Sequence, residues 1–173
     1  KGKYNDKKEV MENYYLRNVE NIECVSLGDP GNRTFYFIAE NKYSKVKIWL
    51  EKEQLIALAL LLKNLHNSNK NHVEDDSYEE YPGNFDLDVK AIDFSLDLNR
   101  DSDRYELYIE CVKTDEEELE TLSVNIFLDQ QKAKGLGDQA IKICAAGRKK
   151  CPLCSLPKNL DGSCDGNPCV RRN

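Results

Sequence analysis

The chain has 173 residues, 40% of them hydrophobic and 32% charged, which describes a globular protein with room for one domain of ordinary size. Its longest apolar run, residues 55–62, is far too short to span a membrane, so the sequence predicts no transmembrane segment. The net charge of −6 is unevenly spread, because residues 148–173 hold six Lys or Arg against two Asp, a net +4 that leaves −10 for the rest. An acidic body disfavours non-specific phosphate binding, whereas the basic C-terminal segment can contact an acidic partner or nucleic acid locally.

The first half of the chain predicts three strands followed by a helix. The strands are expected at 22–27, 34–40 and 45–50, and the helix at 52–65. One helix face carries Leu55, Leu58, Ala59, Leu62 and Leu65. Because Ile56, Leu60 and Leu61 widen that face, we expect this helix to be largely buried, and Trp49 before it to be a core residue.

The second half predicts the same order of elements. Alternating apolar residues indicate strands at 92–98, 105–111 and 121–128. A helix should begin after Asp129, a suitable N-cap, and end near Gly147, which basic residues follow.

Sequence similarity between the halves indicates an internal duplication. PGNRTFYFIAE aligns with DSDRYELYIEC, and IWLEKEQ with IFLDQQK, so that Arg33 and Arg104 occupy equivalent positions where they could form a cation pair on one sheet edge. We therefore predict an α+β fold of two β-β-β-α units packed as a pseudo-dimer. The expected domains are an N-terminal extension at 1–18, a first repeat at 19–65, an acidic linker at 66–88, a second repeat at 89–147 and a zinc-binding tail at 148–173.

Four cysteines near the C-terminus have the spacing of a zinc site: Cys151, Cys154, Cys164 and Cys169. Four thiolates leave no open coordination position, so this zinc would hold structure and would not activate water. The alternatives are free thiols on a flexible end and redox chemistry. The redox alternative is disfavoured because this CxxC follows a helix, whereas a redox CxxC precedes one.

The other three cysteines, Cys24, Cys111 and Cys144, fall in strand or helix patterns, where a free thiol behaves as a small apolar residue. A disulfide framework is therefore the weaker interpretation. The polar start KGKYNDKKEV lacks the character of a secretory leader, and the thiol cluster favours a reducing cytoplasm.

The sequence predicts no catalytic residue and no cofactor motif. His66 and His72, the only histidines, both fall in the acidic linker, which disfavours a conventional catalytic triad. The pair Gly135 and Gly137 has neither the lysine of a phosphate loop nor the third glycine of a dinucleotide fingerprint.

Three separated motifs resemble an uncharacterised bacterial family. GDPGNRTFY, WLEKEQLIALALLL and AAGRKKCPLC, with a closing cysteine before VRRN, are similar to domain-of-unknown-function family three-thousand-and-ninety over residues 14–173. The resemblance implies zinc-ligand positions at Cys151, Cys154 and Cys169. Cys164 falls near a family histidine, Ser155 replaces the glycine of the knuckle turn, and the resemblance implies no activity.

These observations favour a non-enzymatic, zinc-containing adaptor or interaction protein. Its protein partner would contact the repeat surface and the basic tail, including Arg148, Lys149, Arg171 and Arg172. The alternative is a single-stranded nucleic-acid-binding protein similar to the Pur-alpha and Whirly type, with contacts from Tyr36, Lys45, Lys47, Arg104 and Tyr108. A third possibility is an enzyme with its site in the groove between the repeats.

Overall fold

The computed structural model describes residues 11–64, 84–99, 104–114, 120–147, 149–156, 158 and 169. These parts contain the strands β1 (Glu12–Leu16), β2 (Asn21–Leu27), β3 (Thr34–Glu40), β4 (Lys45–Leu50), β5 (Asp86–Asn99), β6 (Arg104–Lys113) and β7 (Thr121–Leu128), and the helices α1 (Lys52–Asn64) and α2 (Gln130–Ala145). Neither helix is long and apolar enough to cross a membrane.

All seven strands form one mixed sheet in the order β1-β7-β6-β5-β4-β3-β2. Strands β2 to β4 are antiparallel neighbours, as are β5 to β7, while β4 pairs with β5 in parallel. The prediction of a mixed α+β protein is confirmed at this level. In chain order, a three-stranded antiparallel meander precedes each of the two helices.

One face of the sheet, here called the inner face, forms the core with the helices. Alternate residues of β3, Phe35, Phe37 and Ala39, are buried on this face, and β6 shows the same alternation. The inner side chains of both meanders and the buried faces of both helices form a single hydrophobic cluster. Burial of each large aliphatic side chain contributes about 1.5–3 kcal/mol, so this cluster is the main stabilising element of the body.

Helix α1 is less buried than the sequence indicates. Its predicted core face is confirmed, since Leu55, Leu58, Ala59 and Leu62 are all buried. The prediction of a wider buried face is wrong: Ile56, Leu60 and Leu61 remain 39%, 52% and 39% exposed. The two helices pack side by side, so only the strip of α1 that faces the sheet and α2 is covered.

Helix α2 begins and ends where the sequence predicts. The Asp129 side chain accepts a hydrogen bond from the backbone N–H of Lys132, and the chain leaves the helix at Ala146. Because α2 also contacts β2 at the far edge of the sheet, its C-terminus lies close to the turn between β2 and β3.

Two features of the sheet differ from the sequence-based expectation. Residues 12–16, placed in an N-terminal extension, form β1 and pair in parallel with β7. Trp49, predicted to be a core residue, is only half-buried, on the outer face beside Tyr36. Side chains of β4 alternate between faces, and the inner positions around Trp49 are taken by Ile48 and Leu50.

Candidate metal centre and the adjoining cationic cavity

The tail folds into a tight turn directly after α2. The backbone N–H of Ser155 donates to the Cys151 carbonyl oxygen at 2.8 Å, and that of Cys151 donates to the Leu156 carbonyl oxygen, also at 2.8 Å. Ser155 takes a φ of 59°, the left-handed conformation that glycine adopts most easily. The turn places Cys151 and Cys154 on the same side of the tail, where both can contact a third cysteine.

Three of the four predicted zinc ligands lie together. The Sγ atoms of Cys151, Cys154 and Cys169 are all within 4.8 Å of one another, and those of Cys151 and Cys169 are 3.7 Å apart. A disulfide needs sulfurs about 2.05 Å apart, whereas two thiolates on one zinc, at a Zn–S distance of about 2.3 Å, lie about 3.8 Å apart. This group can bind a metal ion. Cys164 lies outside the described residues.

The structure describes one of the four predicted partner-binding residues. Lys149 is exposed at the start of the tail, while Arg148, Arg171 and Arg172 lie outside the described residues, as do His66 and His72. Arg33 and Arg104 do not form a pair, because they precede or begin strands separated by two others in the sheet. These two strands are three strand spacings apart across the sheet, which is about 14 Å.

A cavity of about 590 Å³ adjoins the tail, and sequence reasoning did not predict it. It lies where the β2–β3 turn, the start of α1, the end of α2 and the start of the tail meet. Its described lining residues include four cationic ones: Arg33, Lys52, Lys149 and Lys150. Each of these residues is visible in the sequence, but only the packing of α2 across to the β2–β3 turn brings them together.

The thiols outside the tail are held in their neutral form. Burial raises the pKa values of Cys24 and Cys111 to about 12. At the cavity wall, burial also raises the pKa of Cys144, which Lys52 lowers and Glu53 raises. These thiols are poorly suited to act as nucleophiles at neutral pH.

Aromatic and basic side chains meet on the outer face of the sheet. The rings of Tyr36 and Trp49 lie 4.8 Å apart between centroids, with Lys47 Nζ 4.1 Å from the Trp49 ring. Asp88 accepts a hydrogen bond from Trp49 Nε1 and forms an ion pair with Lys47. Lys47 is therefore already paired with a carboxylate. Near Tyr108, the acidic residues Asp93 and Glu110 face each other across β5 and β6, as do Asp97 and Glu106.

Taken together, the fold and site define a mixed α+β protein with a C-terminal cysteine cluster able to bind a metal ion. The family described as "Protein of unknown function (DUF3090)" matches residues 14–164, and the chain belongs to this family. No curated protein and no solved structure matches the chain significantly.

Proposed function

We propose that the protein is a non-enzymatic cytoplasmic interaction protein whose zinc-bound tail presents basic side chains to an acidic protein partner. The observation that carries this proposal is the convergence of three tail thiols within 4.8 Å, directly next to Lys149 and Lys150. A fixed cysteine cluster holds the adjacent lysines in place, and a preorganised basic surface binds with a smaller loss of side-chain entropy.

Zinc is the metal that this ligand set favours. Thiolate ligands select zinc over magnesium or calcium, and the 3.7 Å separation of two sulfurs suits a tetrahedral site. Cys164 would complete a four-thiolate set, as its position in the sequence predicts. Such a closed site stabilises structure and leaves the recognition to neighbouring side chains.

The body would then serve as a scaffold built by duplication. Two features support this proposal: the similar sequences of the two halves, and the matching order of a three-stranded meander followed by a helix. Because β4 and β5 are parallel, each strand of the second meander runs in the same direction as its counterpart in the first. The units would occupy 19–65 and 89–147, with an acidic linker at 66–88 between them.

The residues that line the cavity give less support to an enzymatic role. The cavity between the two halves is the natural place for a catalytic site, yet its thiol, Cys144, has a raised pKa. Among the lining residues that the structure describes, there is no histidine or carboxylate to act as a general base.

Single-stranded nucleic-acid binding is the second candidate, favoured by the close pair of Tyr36 and Trp49 on the outer face. Such rings can stack on bases. Against it, Lys47 is paired with Asp88, and the cross-strand acidic pairs near Tyr108 would repel a phosphate backbone.

A charge-reversal variant tests the proposal. Changing Arg148, Lys149, Arg171 and Arg172 to glutamate should abolish capture of the protein partner while zinc content and folding stay intact. Single-stranded RNA binding that falls steeply with salt, and is lost in this variant, would instead support the nucleic-acid alternative. If the variant keeps every partner of the wild type, the tail is only a structural element and the proposal is wrong about where recognition lies.

A further inference from the structure

We propose that the cavity lined by Arg33, Lys52, Lys149 and Lys150 is a binding site for a small diphosphate-bearing molecule. This site shares Lys149 and Lys150 with the proposed partner surface, whereas its other two described cations, Arg33 and Lys52, belong to the body. Variants of Arg33 and Lys52 therefore test this proposal without changing the basic residues assigned to the protein partner.

The strongest observation concerns the Arg33 guanidinium. Its Nη1 donates to the Ala146 carbonyl oxygen at 3.0 Å, which fixes the plane of the group against the end of α2. Its Nε is buried and has no hydrogen-bond partner among the described residues. A buried N–H without an acceptor is costly, and the Nε edge is one by which arginine binds a phosphate or carboxylate side-on. A bound oxyanion would satisfy it.

The local backbone holds Arg33 in this position. Gly28, at the start of the preceding turn, has a φ of 92°, and a Cβ there would lie 2.5 Å from the Asn32 carbonyl oxygen. The turn is closed by a hydrogen bond from the Asn32 N–H to the Asp29 carbonyl oxygen at 2.9 Å. The guanidinium is thus placed by a rigid turn on one side and by α2 on the other, as preorganised binding requires.

The three lysines provide charge that the described protein does not neutralise. None of Lys52, Lys149 and Lys150 forms an ion pair with another described residue. Glu53 lies near enough to raise the pKa of Cys144, but it does not line the cavity. Among the described residues, four cations and no carboxylate line the cavity, an arrangement that favours a multiply charged anion.

Charge and size together favour a diphosphate. A terminal phosphate carries about −1.5 to −2 at neutral pH and the inner phosphate of a diphosphate adds about −1, so a diphosphate offsets most of the charge of four cations, whereas one carboxylate offsets a quarter of it. A volume of about 590 Å³ lies within the usual range for small-molecule sites. Phe35 and Ile143 add an apolar wall, which suits an organic group attached to the diphosphate.

Calorimetric titration of the full chain with pyrophosphate, ADP and AMP tests this proposal. We expect pyrophosphate and ADP to bind one per chain, and AMP more weakly, because AMP carries less phosphoryl charge and has a single phosphate group. Arg33→Gln should weaken binding about tenfold or more through the loss of a charge-assisted hydrogen bond. Lys52→Gln should also weaken binding, and because Lys52 is exposed and forms no described hydrogen bond or ion pair, this variant is a check on a folding defect in the arginine variant.

Two matched control variants test whether binding depends on where a positive charge lies and not only on the total charge of the protein. Arg104→Gln removes an arginine three strands away in the sheet, at least about 14 Å from Arg33. Lys134→Gln removes an exposed lysine of α2, about 14 Å along the helix from Ile143. Both lie beyond the Debye length of about 8 Å at physiological salt and should leave affinity within about twofold of wild type.

The proposal is overturned if neither pyrophosphate nor ADP binds the wild type at millimolar concentration. It is also overturned if Arg33→Gln and Lys52→Gln bind as tightly as the two controls. Displacement of pyrophosphate by a single-stranded oligonucleotide at much lower concentration would assign the cavity to nucleic acid instead.

Discussion

The Gln139 side chain accepts a hydrogen bond from the Cys24 backbone N–H at 2.9 Å, so a residue of α2 covers part of the exposed edge of β2. Edge strands carry unpaired backbone groups that favour association with other chains, and here a helix side chain satisfies one of them. The same contact brings the C-terminal half of α2 to the side of the sheet where the cationic cavity lies.

Removal of this contact should destabilise the body. Gln139→Ala leaves the part-buried Cys24 N–H without its acceptor, and we expect a loss of about 1–2 kcal/mol in the free energy of unfolding. Urea denaturation measures it. Gln131→Ala, at an exposed position of the same helix, is the control and should change stability by less than about 0.5 kcal/mol. Equal stabilities of the two variants would show that the edge contact contributes nothing.

The N-cap of α2 predicts a pH dependence. Burial alone would raise the pKa of Asp129, but hydrogen bonds from the Lys132 side chain and backbone, with the lysine charge, hold that pKa below its usual value. The ionised cap therefore stabilises the fold above the unfolded-state pKa of about 3.9, and this contribution is lost as pH falls through the lower folded value.

Asp129→Ala should accordingly cost about 1 kcal/mol in the free energy of unfolding at pH 7. The difference in the free energy of unfolding between this variant and the wild type should become smaller as pH falls below about 4. Denaturation at pH 7 and at pH 3 measures it. A difference that is constant or larger at pH 3 would contradict this account of the cap.

Two glycines of α2 should respond differently to the same substitution. A Cβ at Gly135 would meet no atom within 4 Å, so Gly135→Ala should stabilise the helix by about 1 kcal/mol. A Cβ at Gly137 would lie 3.3 Å from the Leu62 Cβ, and α1 would have to move slightly. We expect Gly137→Ala to be less stable than Gly135→Ala in thermal unfolding. The reverse order would show that the helices do not pack closely at Gly137.

The strained turn of the tail can be relaxed. Ser155→Gly removes the cost of a left-handed φ of 59°, about 1–2 kcal/mol, and should slow the loss of metal to a chelator. Asn18, with a φ of 49°, provides the control, because asparagine tolerates this conformation and its glycine variant should leave metal release unchanged. Faster metal loss from Ser155→Gly would mean that the serine stabilises the turn.

Local sequence patterns predicted most of the elements because their signals are local. The alternation in 34–40 and 121–128 corresponds to β3 and β7, and Asp129 caps α2 as its position indicates. The features that the sequence did not predict depend on contacts between residues that are distant in the chain. Strand β1 is short, and its parallel partner β7 lies far along the chain, so no turn signal marks the pairing.

The difference between local signals and contacts between distant residues also explains which parts of the candidate site could be predicted. The spacing of the tail cysteines predicted that Cys151, Cys154 and Cys169 come together, since metal-ligand spacing is a local property. The cationic cavity combines Arg33 and Lys52 of the first half with Lys149 and Lys150 of the tail. Only tertiary packing creates that combination, as it also determines which apolar residues of α1 stay exposed.

Metal content tests the central claim, that the tail is organised around one zinc ion. Native mass spectrometry and elemental analysis of the wild-type protein, purified without chelators, should show one zinc per chain. Cys154→Ser and Cys164→Ser should each lose it, while Cys144→Ser, a cysteine outside the cluster, should keep it. Wild-type protein that is metal-free, with all four tail thiols freely titratable, would contradict the account.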